Sequence, residues 1–171
     1  FPTTPIVSVE QTSAGIAHVK TLSLGIPVLN VARSRAKLEL ETPWIIESSL
    51  NRLFTYLPKE ELPNKRVLIL GYGAIGEGVA KMLEGICPLD IFDPRMTNTD
   101  PLETLLQRAD VIIGCTGVNS LKHEHYDLLK EGTILVSFSS SDREFEAYKF
   151  RQQFPQSNDF FGVAPSTPAI M

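Results

Sequence analysis

The run Val67-Leu68-Ile69-Leu70-Gly71-Tyr72-Gly73-Ala74-Ile75-Gly76 constrains the fold of this chain more than any other segment. Four consecutive apolar residues read as a strand covered on both faces. Three glycines follow at G-x-G-x-x-G spacing, and residues 74–83 continue with the period of an amphipathic helix. In a strand–turn–helix unit of this kind each glycine has its own task. Gly71 permits the tight bend out of the strand, Gly73 lets backbone approach a pyrophosphate, and Gly76 lets the helix pack close to the sheet. Ala74 and Ile75 open the helix, where unpaired N–H groups and a partial positive charge favour phosphate. Gly71, Gly73, Ala74, Ile75 and Gly76 are therefore the expected dinucleotide contacts. The alternative is a tight turn that holds no ligand.

An acidic residue in the right place supports the ligand reading. Asp93 follows the apolar stretch 89–92, 17 positions beyond Gly76, near the roughly 20 expected for a carboxylate that accepts ribose hydroxyls. Such a carboxylate repels a 2′-phosphate, so NAD is the expected cofactor in preference to NADP. Arg95 is the residue that would turn toward a phosphate if one were present, and a turn-forming Asp-Pro is the competing role for Asp93.

Strand and helix patterns alternate from Lys65 onward. Strands are expected at 67–70, 89–92, 111–113, 133–138 and 160–163, and helices at 74–83, 102–107, 123–129 and 142–150. Parallel neighbours need crossover connections, so this alternation predicts an α/β, Rossmann-like doubly wound parallel sheet. Before it, short strands are expected at 5–9 and 26–31, with a helix at 11–19. Thr42 reads as the cap of a helix with Pro43 at its first position, and Ile46, Leu50, Leu53, Phe54 and Leu57 form its apolar stripe. Residues 59–64 read as a solvated, charged loop. The expected division is an N-terminal appendage with a hinge helix at 1–63, followed by an NAD-binding domain at 64–171.

Composition excludes other classes. With 16 Lys+Arg against 20 Asp+Glu, the formal charge of −4 does not suit a nucleic-acid surface. No run of about twenty apolar residues is present, so no membrane-spanning helix is expected. Two cysteines, Cys87 and Cys115, cannot build a disulfide framework, and no secretory leader is visible. A reducing, cytoplasmic setting is expected. The sequence starts at Phe1 without an initiator methionine, as a piece of a longer protein would.

Other stretches are less specific. Gly114-Cys115-Thr116-Gly117 follows a strand end, where doubly wound sheets collect ligands. Cys115, Thr116 and Gly117 either line the nicotinamide half of a pocket or make a plain strand-to-helix turn. Ser141 or Asp142 reads as a helix cap. His123 and His125 lie two apart and face different sides of a helix, so solvated positions are expected and no metal site. Arg33, Ser34 and Arg35 read as a solvated loop.

Several segments together resemble the S-adenosylhomocysteine hydrolase (adenosylhomocysteinase) family. They are Glu10-Gln11-Thr12-Ser13-Ala14-Gly15, Pro27-Val28-Leu29-Asn30-Val31 with Ser34 and Lys37, Glu47-Ser48, the 71–78 loop, and Asp142 with Glu144. The resemblance implies a tightly held NAD that transiently oxidises the 3′-hydroxyl of a nucleoside-type substrate. It also implies cofactor contacts at Thr12 and Ser13, and hydroxyl chemistry at Lys37 with Glu41. The departures concern the polar residues of the substrate side. Glu41 stands for the family's Asp, Thr42 and Ala32 for Asn, Gln11 for Glu, Ile45 for Cys and Ser140 for His. A glutamine can neither act as a base nor carry charge. The family's large substrate domain and C-terminal segment also fall outside this sequence. The chain by itself is therefore not expected to hydrolyse adenosylhomocysteine. Two alternatives follow. One is an NAD-dependent 2-hydroxyacid dehydrogenase, which shares the glycine loop and the Asp-Pro, although its Arg, Glu and His set is not seen. The other is a non-catalytic NAD(H)-binding or partner module. Self-association is expected, because an isolated cofactor domain exposes faces that its relatives bury.

Overall fold

The computed structural model describes residues 6–139, 144–146, 149, 162–163 and 169–170. The chain forms two compact units, residues 1–44 and 45–171.

The first unit holds strand β1 (Ser8–Glu10), helix α1 (Ser13–Val19) and strand β2 (Val28–Asn30). The two strands pair in parallel, Val9 opposite Leu29. Thr12 caps α1, its hydroxyl accepting the Gly15 N–H at 2.9 Å. A π-helical turn, Lys37–Glu41, then runs directly into helix α2 (Thr42–Phe54). Thr42 is therefore not an N-cap as the sequence suggested. Its backbone is already helical, its N–H reaches back to the Lys37 carbonyl, and its hydroxyl donates to the same oxygen at 3.0 Å. Pro43 has no N–H to continue the ordinary ladder, which fits a change of register just before it.

In the second unit a six-stranded sheet runs in the order β4-β3-β5-β6-β8-β7. Its strands are β3 (Val67–Leu70), β4 (Leu89–Phe92), β5 (Val111–Gly114), β6 (Ile134–Ser137), β7 (Gly162–Val163) and β8 (Ala169–Ile170). All pairings are parallel except β7 with β8. Helices α3 (Ala74–Leu83), α4 (Leu102–Arg108) and α5 (His123–Tyr126) lie between strands. The expected α/β, Rossmann-like doubly wound sheet is the fold observed. The expected helix at 142–150, with Ser140, Ser141 and Asp142, lies mostly outside the described residues.

Two apolar cores cover the two faces of the sheet. Val67, Ile69, Val111, Ile113 and Val136 point to one, Leu68, Leu70, Ile112 and Leu135 to the other, as strand alternation requires. The first core also takes Val79, Ala80 and Leu83 of α3 and Ile46, Leu50 and Leu53 of α2, with Leu57 and Leu62 beyond it. The second takes Leu105 and Leu106 of α4, with Leu121 and Phe145.

The stripe of α2 thus belongs to the sheet domain, and packing divides the chain after Trp44, where the sequence suggested a division after Pro63. Residues Lys59–Asn64 form a 3-10 helix in place of the expected solvated loop. Leu62 in its middle is fully buried, a burial worth about 1.5–3 kcal/mol for a leucine side chain.

Candidate functional site

The strand order reverses at β3, which pairs with β4 on one side and β5 on the other. In open α/β sheets this is the switch point where a crevice opens beyond the strand ends. The Gly71–Gly76 loop leaves β3 there, and its three glycines differ in what surrounds them. Gly71 has φ +91, and a Cβ on it would come within 2.9 Å of the Thr116 methyl. A Cβ on Gly76 would collide with the carbonyl oxygen of Gly71 and lie 3.0 Å from its carbon. At Gly73, the N-cap of α3, a Cβ would meet nothing within 4 Å. No side chain caps α3. The first-turn N–H groups of a ten-residue helix are therefore presented beside open space, which is what an incoming anion needs.

Asp93, just past β4, is buried, 5 % exposed. Its carboxylate accepts the Tyr72 N–H at 2.8 Å, tying the glycine loop to the end of β4. It also accepts the Arg95 N–H at 2.9 Å, Arg95 Nε at 2.8 Å and Arg95 Nη2 at 2.7 Å. Those four bonds fill the acceptor sites of a carboxylate. A ribose hydroxyl would have to take the place of guanidinium donors whose side chain is 72 % exposed. The sequence left Arg95 free to turn toward a phosphate if one were present. In the structure it turns back onto Asp93.

The Arg95 hydrogen bonds hold the Asp93 carboxyl well below the usual carboxylate range, against the opposing effect of burial. A carboxyl depressed in the folded state gives stability that is complete above its ordinary value near 3.9 and is lost as pH falls through the folded value. Removing the arginine raises that folded value. Arg95→Ala is therefore expected to begin acid unfolding at a higher pH than wild type, followed by circular dichroism. Coincident acid transitions would contradict the pairing.

Beyond β5 the chain turns through Cys115, Thr116 and Gly117, with Gly117 at φ +73. The turn is held by Glu144, which is fully buried. Glu144 Oε1 accepts the Thr116 hydroxyl at 2.6 Å and the Thr116 N–H at 3.1 Å, and Oε2 accepts the Gly117 N–H at 2.8 Å. Sequence reasoning named Glu144 but gave it no place in the site. The hint was an acidic residue beside the apolar Phe145, with its partners 27 and 28 positions away. Burial, with the Glu144 charge adding to it, pushes the Cys115 thiol up to about 12. It is a thiol at neutral pH and a poor nucleophile.

In the first unit, Lys37 and Glu41 form an ion pair across the π turn, with side chains 20 % and 48 % exposed. They border an open cleft of about 450 Å³ together with Gln11, Val31, Ser34 and Trp44. Ser34, half-buried, accepts the Lys37 N–H at 3.2 Å, while Arg35 pairs with Glu39 at 2.8 Å. Thr12 donates its N–H at 2.7 Å and its hydroxyl at 2.8 Å to Glu10, whose carboxyl these bonds lower. Ser13 is exposed at the first position of α1. The structure thus groups Thr12, Ser13, Lys37 and Glu41 in one unit, and Gly71–Gly76, Asp93, Cys115, Thr116 and Gly117 in the other.

His125 departs from its expected solvated position. It is buried, and its Nδ1 accepts the Lys122 N–H at 3.1 Å. Among the described residues no group of three His, Cys, Asp or Glu side chains is placed to hold a metal, and no helix is long and apolar enough to cross a membrane.

No family model matches the chain. It is 37 % identical over 157 residues to uncharacterized proteins of two Mycobacterium tuberculosis strains, H37Rv and CDC 1551 / Oshkosh. That similarity covers 90 % of this chain and 31 % of each relative, so the chain spans about a third of the length of the curated relatives it matches. Among solved structures it is similar to NAD+-bound 3-phosphoglycerate dehydrogenase of Entamoeba histolytica, with TM-score 0.57 and 19 % identity over 75 % of this chain and 46 % of that one. It is also similar to the NAD complex of a D-isomer specific 2-hydroxyacid dehydrogenase from Lactobacillus delbrueckii ssp. bulgaricus, with TM-score 0.52 and 18 % identity over 66 % of this chain and 43 % of that one. The D-lactate dehydrogenase of Salmonella gives TM-score 0.52 and 20 % identity over 81 % of this chain and 50 % of that one. At these identities the likeness is one of fold, and the fold is the α/β, Rossmann-like doubly wound sheet.

Proposed function

We propose that residues 45–171 bind NAD, and that the chain is the cofactor-binding part of an NAD-dependent oxidoreductase of the 2-hydroxyacid dehydrogenase kind. The observation that carries this is the glycine loop at the switch point. It is locked by Gly71 and Gly76 and left open at Gly73 beside the uncapped end of α3. The dinucleotide-bound state of two of the similar dehydrogenases supports the same choice of ligand.

In this reading Gly71, Gly73, Ala74, Ile75 and Gly76 hold the pyrophosphate through backbone. Asp93 accepts the adenosine ribose hydroxyls once the Arg95 guanidinium releases its carboxylate. Cys115, Thr116 and Gly117 border the nicotinamide end, where a small thiol and a backbone turn exclude water without offering a competing nucleophile. Bound NAD supplies hydride acceptance and return.

A second reading, adenosylhomocysteinase-like transient oxidation, is favoured by one observation. Glu41, longer than the aspartate the resemblance implies, does pair with Lys37 on the rim of a cleft. There Lys37 would hold a substrate hydroxyl and Glu41 would keep the lysine oriented. Turnover separates the two readings. The full chain is offered NADH with short 2-oxo acids, and separately NAD+ with adenosylhomocysteine. Continuous NADH consumption supports the dehydrogenase reading. Homocysteine release without net NADH supports the second. Neither product, from a chain that binds NAD, contradicts both and leaves a binding module.

A further inference from the structure

We propose that Glu144 is the positioning residue for the nicotinamide end of the cofactor site, its buried carboxylate setting the shape of the Thr116–Gly117 turn. This rests on the dinucleotide reading above and deepens it.

A carboxylate is an expensive group to bury, and it persists only where donors replace the water it loses. Glu144 has three such donors, all neutral and all from one turn: the Thr116 N–H, the Thr116 hydroxyl and the Gly117 N–H. Its own backbone carbonyl accepts the Ser120 N–H at 2.9 Å and the Ser120 hydroxyl at 3.0 Å, so one residue fastens both ends of the 116–120 segment. Its place is itself fixed. Phe145 is fully buried, and its carbonyl accepts the Tyr126 hydroxyl at 2.9 Å. Strand β5 ends in Gly114 because a Cβ there would come within 2.7 Å of both Glu144 Cδ and Phe145 Cζ.

The turn that Glu144 shapes stands against the glycine loop, since the Thr116 methyl is the atom a Cβ on Gly71 would strike. Gly117, at φ +73, keeps a left-handed conformation that most residues avoid. The carboxylate aims an acceptor at each of two successive N–H groups and so holds that conformation. A glutamine cannot do the same. One of its ends is an NH2, which would face an N–H donor and push the turn away.

The test is calorimetric titration of the full chain with NAD+ and with ADP-ribose, which lacks only the nicotinamide. Wild type, Glu144→Gln and Thr116→Val are compared, and thermal melts are recorded for each. Glu144→Gln is expected to weaken NAD+ about tenfold or more and ADP-ribose by no more than about twofold, given the cost of one mismatched buried donor. Thr116→Val, which removes one of the three donors from a partly exposed position, should show the same preference at about threefold. It carries the test if Glu144→Gln does not fold. Equal weakening of both ligands, or no weakening of either, would overturn the proposal and leave Glu144 a purely structural residue. A folded wild type that binds neither ligand fails differently: the dinucleotide reading falls first, and this inference with it.

Discussion

Gly76→Val is expected to unfold the second unit at temperatures where the wild-type chain is intact. The first Cβ alone would overlap the Gly71 carbonyl oxygen and come within 3.4 Å of the Ile69 side chain. The obstacle is backbone and cannot rotate aside, so α3 must lift off β3. Lifting it pulls Val79, Ala80 and Leu83 from the core they share with α2. Overpacking of this kind costs about 3 kcal/mol, a large part of the roughly 5–15 kcal/mol that keeps a domain folded. The thermal midpoint should fall on the order of 10 °C, read by circular dichroism. A variant melting with wild type would show that α3 does not pack as described.

Gly73→Val is expected to do the reverse, abolishing NAD binding in a chain that stays folded. Gly73 has φ −86 and ψ −165, backbone that valine adopts readily, and its Cβ would point into open space. The structural cost is that of a poor N-cap, about 1 kcal/mol, or a few degrees in the midpoint. The open space is where a pyrophosphate would approach the backbone, and a branched side chain would fill it. Affinity for NAD+ should fall at least about 100-fold, close to 3 kcal/mol. Weak binding with a melt only a few degrees below wild type, set beside the unstable Gly76 variant, would separate the ligand-facing glycine from the sheet-facing one.

The strand, turn and helix that carry these glycines were legible before the structure because they depend on neighbours a few residues away. The strand at 67–70, the helix at 74–83 and the strand at 89–92 are local patterns, and the structure places them at those same residues. Legibility fails where distant residues decide. The stripe on α2 was plain, but nothing local says that it joins the sheet's core and moves the division of the chain to Trp44. Leu62 reads as one apolar residue in a charged loop until its burial is known. Thr42 has every attribute of a cap, and the π turn before it removes the free N–H groups that a cap would serve.

The site divides along the same line. Spacing placed Asp93, but not the guanidinium fork that now fills its acceptors, because an Arg two residues on can turn either way. Glu144 was invisible as a site residue because its partners come from a turn on another strand. Lys37 and Glu41 do pair, as four-residue spacing on a helix permits. Their chemistry is a proposal drawn from resemblance.

In the proposed function, the glycine loop of the second unit holds NAD. Calorimetric titration of the full wild-type chain with NAD+ tests it most directly, with Gly73→Val as the paired control. Wild type should bind one NAD+ per chain saturably, and the variant none measurably. A folded wild-type chain that takes up neither NAD+ nor NADP+, or a variant that binds as well as wild type, would contradict it.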